Sequence, residues 1–183
     1  LAAIAVGDEL PIPFKKMVKG LESFKGIERR MEPLFKGKET LVIDDYGHHP
    51  EEIKATLSAL RMAFPERRII TLFQPHRFTR TRDLFVEFQE SFANTDVLLL
   101  TEVYAAGEDP IAGATGKSLA EAMLQKTSGN KVFFQADKEL LAEEVSRLLQ
   151  PNDLVVTLGA GDIVKVGKKL AQVFRKKEKS ISM

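Results

Sequence analysis

Leu41-Val42-Ile43-Asp44-Asp45-Tyr46-Gly47-His48-His49-Pro50 decides how this chain is read. An uninterrupted apolar run ends in two aspartates, and a turn-like stretch with two histidines leads to Pro50-Glu51-Glu52. Short continuous apolar runs bounded by turn residues mark strands buried on both faces. Proline followed by acidic residues suits the first turn of a helix. The stretch therefore predicts a strand feeding directly into a helix. In open parallel α/β sheets the carboxyl ends of strands are where ligands bind, and Asp44 to His49 stand at such an end.

Working outward, the same alternation recurs. Strand-like runs cover 41–44, 68–73, 97–101, 132–135 and 154–158. Helical stripes separate them: Ile53, Leu57, Leu60 and Phe64; Leu84, Phe85, Phe88 and Phe92; Leu119 to Leu124; Leu140, Leu141, Val145 and Leu148; and finally Ile163, Val166, Leu170 and Phe174. This order predicts an α/β fold, a mostly parallel sheet covered by helices on both faces. Upstream, 1–10 reads as an Ala-rich helix closed by Pro11 and Pro13, and Phe14, Met17, Val18, Leu21 and Phe24 form the stripe of a second helix stopped at Gly26. The charged segment 27–38 shows no periodicity and reads as a hinge, with the main domain over 39–175 and a polar tail over 176–183. Leu1 stands inside a helix-like stretch, so the chain is read as a piece of something longer.

Composition narrows the function classes. The 183 residues are 44% hydrophobic and 29% charged, which suits a folded soluble domain. A net charge of +1 gives no reason to expect nucleic acid as a partner. Without cysteine there is no disulfide, thiol nucleophile or thiolate metal site. No apolar run approaches the roughly 18 residues of a membrane span.

Two glycine-containing turns invite a phosphate-loop reading. Gly113-Ala114-Thr115-Gly116-Lys117-Ser118 ends like a P-loop but lacks its first glycine, where Ile111 stands, and has no strand immediately before it. It reads as a loop with Ser118 near a helix start. Gly159-Ala160-Gly161-Asp162 follows a strand but lacks the third glycine of a dinucleotide fingerprint. Close approach to a ligand and simple capping by Asp162 both fit it.

All three histidines fall in two polar segments that follow strand-like runs, 44–50 and 74–82. The second, Gln74-Pro75-His76-Arg77-Phe78-Thr79-Arg80-Thr81-Arg82, places Arg77 and Arg80 on one face at helical spacing, where guanidinium forks can grip a carboxylate or phosphate. Asp44, Asp45 and the histidines also allow a metal-dependent phosphoesterase, although adjacent His48 and His49 tend to point apart.

Read together, these segments resemble the C-terminal domain of the Mur ligases. The resemblance rests on Gly26-Ile27-Glu28-Arg29-Arg30-Met31-Glu32, on 44–50 and 73–82, on Asp96-Val97-Leu98-Leu99-Leu100, on Val103-Tyr104-Ala105-Ala106-Gly107-Glu108 and on Gly159-Ala160-Gly161-Asp162-Ile163. It runs nearly end to end and in order. It implies a Rossmann-like domain preceded by a helical remnant of a central ATPase domain (1–26), within a cytoplasmic bacterial enzyme of peptidoglycan synthesis. The implied chemistry is ATP- and Mg²⁺-dependent amide formation through an acyl phosphate, with most Mg²⁺ ligands outside this chain. Among the branches, the one joining L-alanine to UDP-N-acetylmuramate fits best, and the murein-tripeptide recycling branch is the alternative. The resemblance implies that Arg30 and Asp45 contact the ribose end of ATP and that catalytic His48 faces the reacting phosphates. It places Tyr46, His76, Arg77 and Arg80 around the amino acid, and it leaves this chain inactive alone.

Overall fold

A computed structural model describes residues 1–24, 26–126 and 131–181. Two helices come first, α1 (Ala2–Glu9) and α2 (Phe14–Ser23), packed on each other. The sheet domain then runs β1 (Glu32–Lys36), β2 (Leu41–Asp45), α3 (Pro50–Ala63), β3 (Arg68–Phe73), α4 (Phe78–Asp83), α5 (Phe85–Gln89) and β4 (Val97–Leu100). It continues through α6 (Gly116–Lys126), β5 (Lys131–Phe134), α7 (Lys138–Leu148), β6 (Asp153–Leu158) and α8 (Val164–Ile181).

The strand order is β1-β2-β6-β3-β4-β5, parallel except for the β1–β2 pair. Side chains alternate across each strand as a two-residue period requires. Leu41, Ile43, Ile69, Phe73, Leu98, Leu100, Leu154 and Val156 pack beneath α3, α5 and α6. Val42, Ile70, Leu72, Val97, Leu99 and Val155 pack against α7 and α8 on the other face. The expected two-faced α/β sheet is what forms.

At its centre β6 lies between β2 and β3. Leu158 is in register with Asp45 on one side and with Phe73 on the other, so three carboxyl ends finish level. The opposite end of the same strands is locked by Asp153, which is fully buried. Its carboxylate accepts from Arg68 Nε at 3.0 Å, Arg68 Nη2 at 2.7 Å and the Gln150 N–H at 2.7 Å.

Three sequence expectations change. The segment 27–38 is not all hinge, because β1 occupies its second half. Pro33, which has no N–H to donate, is tolerated because β1 is an edge strand and the register slips between Pro33 and Phe35. The stripe through Leu84 and Phe92 is not one helix: α4 and α5 are separated at Leu84, and Phe92 lies beyond α5. The polar tail is mostly helix, since α8 continues to Ile181. There Arg175 donates to the Leu34 carbonyl and Glu178 accepts the Lys38 N–H at 3.2 Å. Residues 182–183 lie outside the described residues.

Candidate functional site

The level ends of β2 and β3 bring the two histidine segments together. Beyond β2 the chain turns because Asp45 Oδ1 accepts the Gly47 N–H at 2.8 Å, an Asx-type turn. A Cβ on Gly47 would sit 2.8 Å from that same oxygen. His49 then becomes the N-cap of α3, and Glu52 completes a capping box from inside the helix. Glu52 Oε2 accepts from both the His48 N–H and the His49 N–H, at 3.0 and 3.2 Å.

An arc of rings runs along this edge. Tyr46 meets His48 edge-on at 5.3 Å, His48 lies 5.9 Å from His76, and His76 stacks on Tyr104 at 5.5 Å. The arc ends in cations on both sides. Arg30 stands 5.5 Å over Tyr46, with its Nη1 3.7 Å from Glu52. Arg80 Nη1 donates to the His76 carbonyl at 3.1 Å and lies 3.3 Å from His76 Nδ1.

These partners fix which ring nitrogens carry hydrogen. His48 Nδ1 faces the Tyr46 carbonyl at 3.0 Å, and a carbonyl only accepts, so Nδ1 is the donor. A neutral His48 therefore keeps its lone pair on Nε2. His76 Nδ1 faces a guanidinium, which only donates, so its hydrogen is on Nε2. Burial pushes the His76 pKa below the ordinary histidine value, and Arg80, His48 and Arg77 push it further down against a smaller opposing pull from Glu108. With both rings neutral, the edge thus offers one imidazole acceptor, His48 Nε2, beside one imidazole donor, His76 Nε2.

The aspartates do not open onto this edge. Asp45 is 3% exposed, and its oxygens accept from the Met31 N–H, the Gly47 N–H and the Thr56 hydroxyl at 2.9, 2.8 and 3.1 Å. Its neighbour Asp44 points to the other face, where it binds Thr157 and, at 3.1 Å, Arg29. Burial raises the Asp44 pKa above the ordinary carboxylate value although Thr157 and Arg29 oppose it. With His49 capping α3, these donors do not converge, and among the described residues no group of three acidic or imidazole ligands is placed to hold a metal. The phosphoesterase reading fails on that geometry. The same side chains do not form a Mg²⁺ site of their own.

The two glycine turns resolve as well. Gly116 N–H is bound by the Glu102 carboxylate at 2.6 Å, where a phosphate would have to sit, and Thr115 Oγ1 accepts the Ser118 N–H at 3.0 Å. The 113–118 loop is a helix start. The Gly159–Gly161 turn approaches the chain itself: a Cβ on Gly159 would lie 2.7 Å from the Gln74 carbonyl, and one on Gly161 2.8 Å from the Tyr104 ring. The Arg29 guanidinium holds the carbonyls of Gly159 and Ala160. Arg29 is thus committed to structure, while Arg30 keeps half its side chain exposed. Glu52 was expected only as a first-turn acid, and Tyr104 and Glu108 only as part of the 103–108 motif; none of the three was given a role in the site. Only Glu52 carried a signal, its spacing of three from His49.

The family model for the Mur ligase glutamate ligase domain matches residues 29–161. The chain belongs to the Mur ligase family. This Mur ligase domain is 47% identical over 168 residues to the UDP-N-acetylmuramate–L-alanine ligase of Geobacter sulfurreducens, covering 92% of this chain and 36% of that protein. The enzyme of the same name from Anaeromyxobacter dehalogenans is 49% identical over 170 residues, covering 93% and 36%. Among solved structures, the UDP-N-acetylmuramate–alanine ligase of Thermotoga maritima superposes with a TM-score of 0.77 at 27% identity, over 95% of this chain and 36% of that one. The Mur ligase domain described here spans about a third of the length of these relatives.

Proposed function

We propose that this chain is the C-terminal part of an ATP-dependent ligase that joins L-alanine to UDP-N-acetylmuramate through an acyl phosphate, in the cytoplasmic stage of bacterial peptidoglycan synthesis. The observation that carries the reading is the arc from Arg30 through Tyr46, His48 and His76 to Arg80, in a chain nearly half identical to ligases of that name. ATP, with Mg²⁺, supplies the phosphoryl group that activates the muramyl carboxylate. The residues of this chain receive and orient the amino acid.

Arg80 and Arg77 offer the fork of donors that suits an amino-acid carboxylate. Tyr46 and the neutral His76 form the wall beside it. The amine must lose a proton as its nitrogen bonds to the acyl carbon and phosphate departs with the electrons of the broken C–O bond. The Nε2 lone pair of His48 is the group suited to accept that proton. Arg30 is assigned to the ribose of ATP. Asp45, given to the ribose by resemblance alone, serves that region from beneath, since its oxygens are taken by Met31, Gly47 and Thr56.

Titration calorimetry with the chain alone tests the division of labour. ATP binding is expected to be weak or undetectable, because the chain shows no P-loop, and tight binding would overturn the reading.

A further inference from the structure

The segment from Val103 to Glu108 crosses the mouth of the amino-acid end of the site, and the functional reading leaves it without a task. It is fastened to the β3–α4 turn by backbone bonds: Tyr104 N–H donates to the Pro75 carbonyl and Arg77 N–H to the Tyr104 carbonyl, both at 2.8 Å. Between them the Tyr104 ring lies nearly parallel to the His76 imidazole, 10° from coplanar. Gly161 backs that ring so closely that no Cβ fits. Tyr104 nevertheless stays 39% exposed.

Glu108 fastens the other end. Its two oxygens accept from the Thr79 N–H at 3.0 Å and the Thr79 hydroxyl at 2.7 Å, and Oε1 lies 3.9 Å from Arg77 Nη1. Arg77 has φ +73°, a left-handed conformation that an L residue keeps only where its surroundings impose it. The surroundings that impose it are the Tyr104 carbonyl, the Glu108 carboxylate and the Thr81 N–H and hydroxyl bound to the Arg77 carbonyl at 3.1 and 2.8 Å.

We propose that Tyr104 and Glu108 are positioning residues for the amino-acid substrate, Tyr104 by fixing the plane of the His76 ring and Glu108 by aiming Arg77. Neither needs to touch the substrate. The inference rests on the ligase reading above and deepens its amino-acid site. It also has a protonation signature. The Tyr104 ring shields one face of His76, and burial is the largest cause of that group's lowered pKa. The charged groups facing it are Arg77 from the β3–α4 turn, Arg80 from α4, His48 from the β2–α3 turn and Glu108 from the 103–108 segment itself.

The test uses the full-length ligase with Tyr104→Ala, Tyr104→Phe and Glu108→Gln, following phosphate release against L-alanine, ATP and pH. Tyr104→Ala is expected to raise the apparent KM for L-alanine about tenfold while leaving that for ATP within about twofold. It is also expected to move the acid limb of kcat/KM upward, towards the ordinary histidine value. Tyr104→Phe keeps the stack and should restore both. Glu108→Gln, which removes the charge while an amide oxygen can still cap Thr79, should raise the KM for L-alanine several-fold; losing its upward pull on His76 moves the acid limb slightly down, not up. Should Tyr104→Ala fail to fold, Glu108→Gln and a Tyr104→Leu variant, which fills the space without a ring to stack, decide the matter in the same assay. Equal changes in both KM values, or none in either, would overturn the inference. A wild-type enzyme that releases no phosphate in response to L-alanine would instead sink the ligase reading beneath it.

Discussion

Glu52 holds His48 twice: its Oε2 accepts the His48 N–H at 3.0 Å and lies 3.4 Å from the His48 Nδ1. The helix cap and the site geometry are therefore one arrangement. Burial alone would raise the Glu52 pKa, but the N–H groups of His48 and His49, the His48 ring and Arg30 together bring it below the ordinary glutamate value. A depressed carboxylate stabilises the fold above its unfolded pKa, and the contribution is lost as pH falls through the folded value. Glu52→Ala should cost about 1 kcal/mol near neutral pH, the usual scale of a lost cap. Urea titrations at pH 7 and at pH 3 check this. The difference between variant and wild type should shrink at the lower pH.

Asp45 is a structural hub beneath the same turn. Asp45→Ala removes the acceptor for three donors, two of them backbone N–H groups, and should destabilise by about 2–4 kcal/mol. Thermal unfolding of the isolated chain measures it. A loss below about 0.5 kcal/mol would show that water replaces the carboxylate without penalty.

Arg80 already spends one donor on the His76 carbonyl and has others to offer a ligand. In the full-length enzyme, Arg80→Ala should raise the apparent KM for L-alanine far more than that for ATP. Equal effects on the two would sink its assignment to the amino-acid carboxylate.

Gly161 has no room for a methyl group beneath Tyr104 and Gln74. Gly161→Ala should displace the Tyr104 ring and destabilise by about 1–3 kcal/mol, the usual range for overpacking. A crystal structure of the variant with the His76–Tyr104 stack intact would contradict this.

At the far end of the sheet, Asp153→Ala would strand Arg68 and the Gln150 N–H. Removing one partner of a buried pair costs about 3–5 kcal/mol, and Arg68 keeps some solvent, so the lower end is expected. The ligand-binding edge lies at the opposite strand ends, so KM values should not move where the protein remains folded.

Five of the six strands were legible because their apolar runs are continuous. In β2, β3, β4 and β6 that continuity reflects cover on both faces, whereas the edge strand β5 leaves Phe133 exposed. β1 was not, since Leu34 and Phe35 are flanked by charge and by Pro33, and only the neighbouring strand makes an edge of such a sequence. The end of α8 was hidden for a related reason: Arg175 and Glu178 look like solvated charges until β1 and the turn after it stand opposite. Within the site, the histidine and arginine segments could be placed by strand ends alone. The inward turn of Asp45 and Asp44 could not, because adjacent strand residues take opposite faces and sequence does not say which face holds the ligand. Tyr104 was seen only as part of a motif and given no role, because its partner, His76, lies 28 positions earlier in the chain.

The central place of β6 sets an order of assembly. Tyr46 and His48 follow β2, His76 and Arg80 follow β3, and these strands are not neighbours until β6 is threaded between them. Every side chain assigned to the substrates has been synthesised by residue 80, yet two strand spacings, roughly 10 Å, must be bridged by residues 153–158 before they share an edge. A nascent or truncated chain ending near Leu148 would hold all of these groups without a site. Such distant pairing slows folding, and the site becomes competent only when nearly the whole domain has left the ribosome.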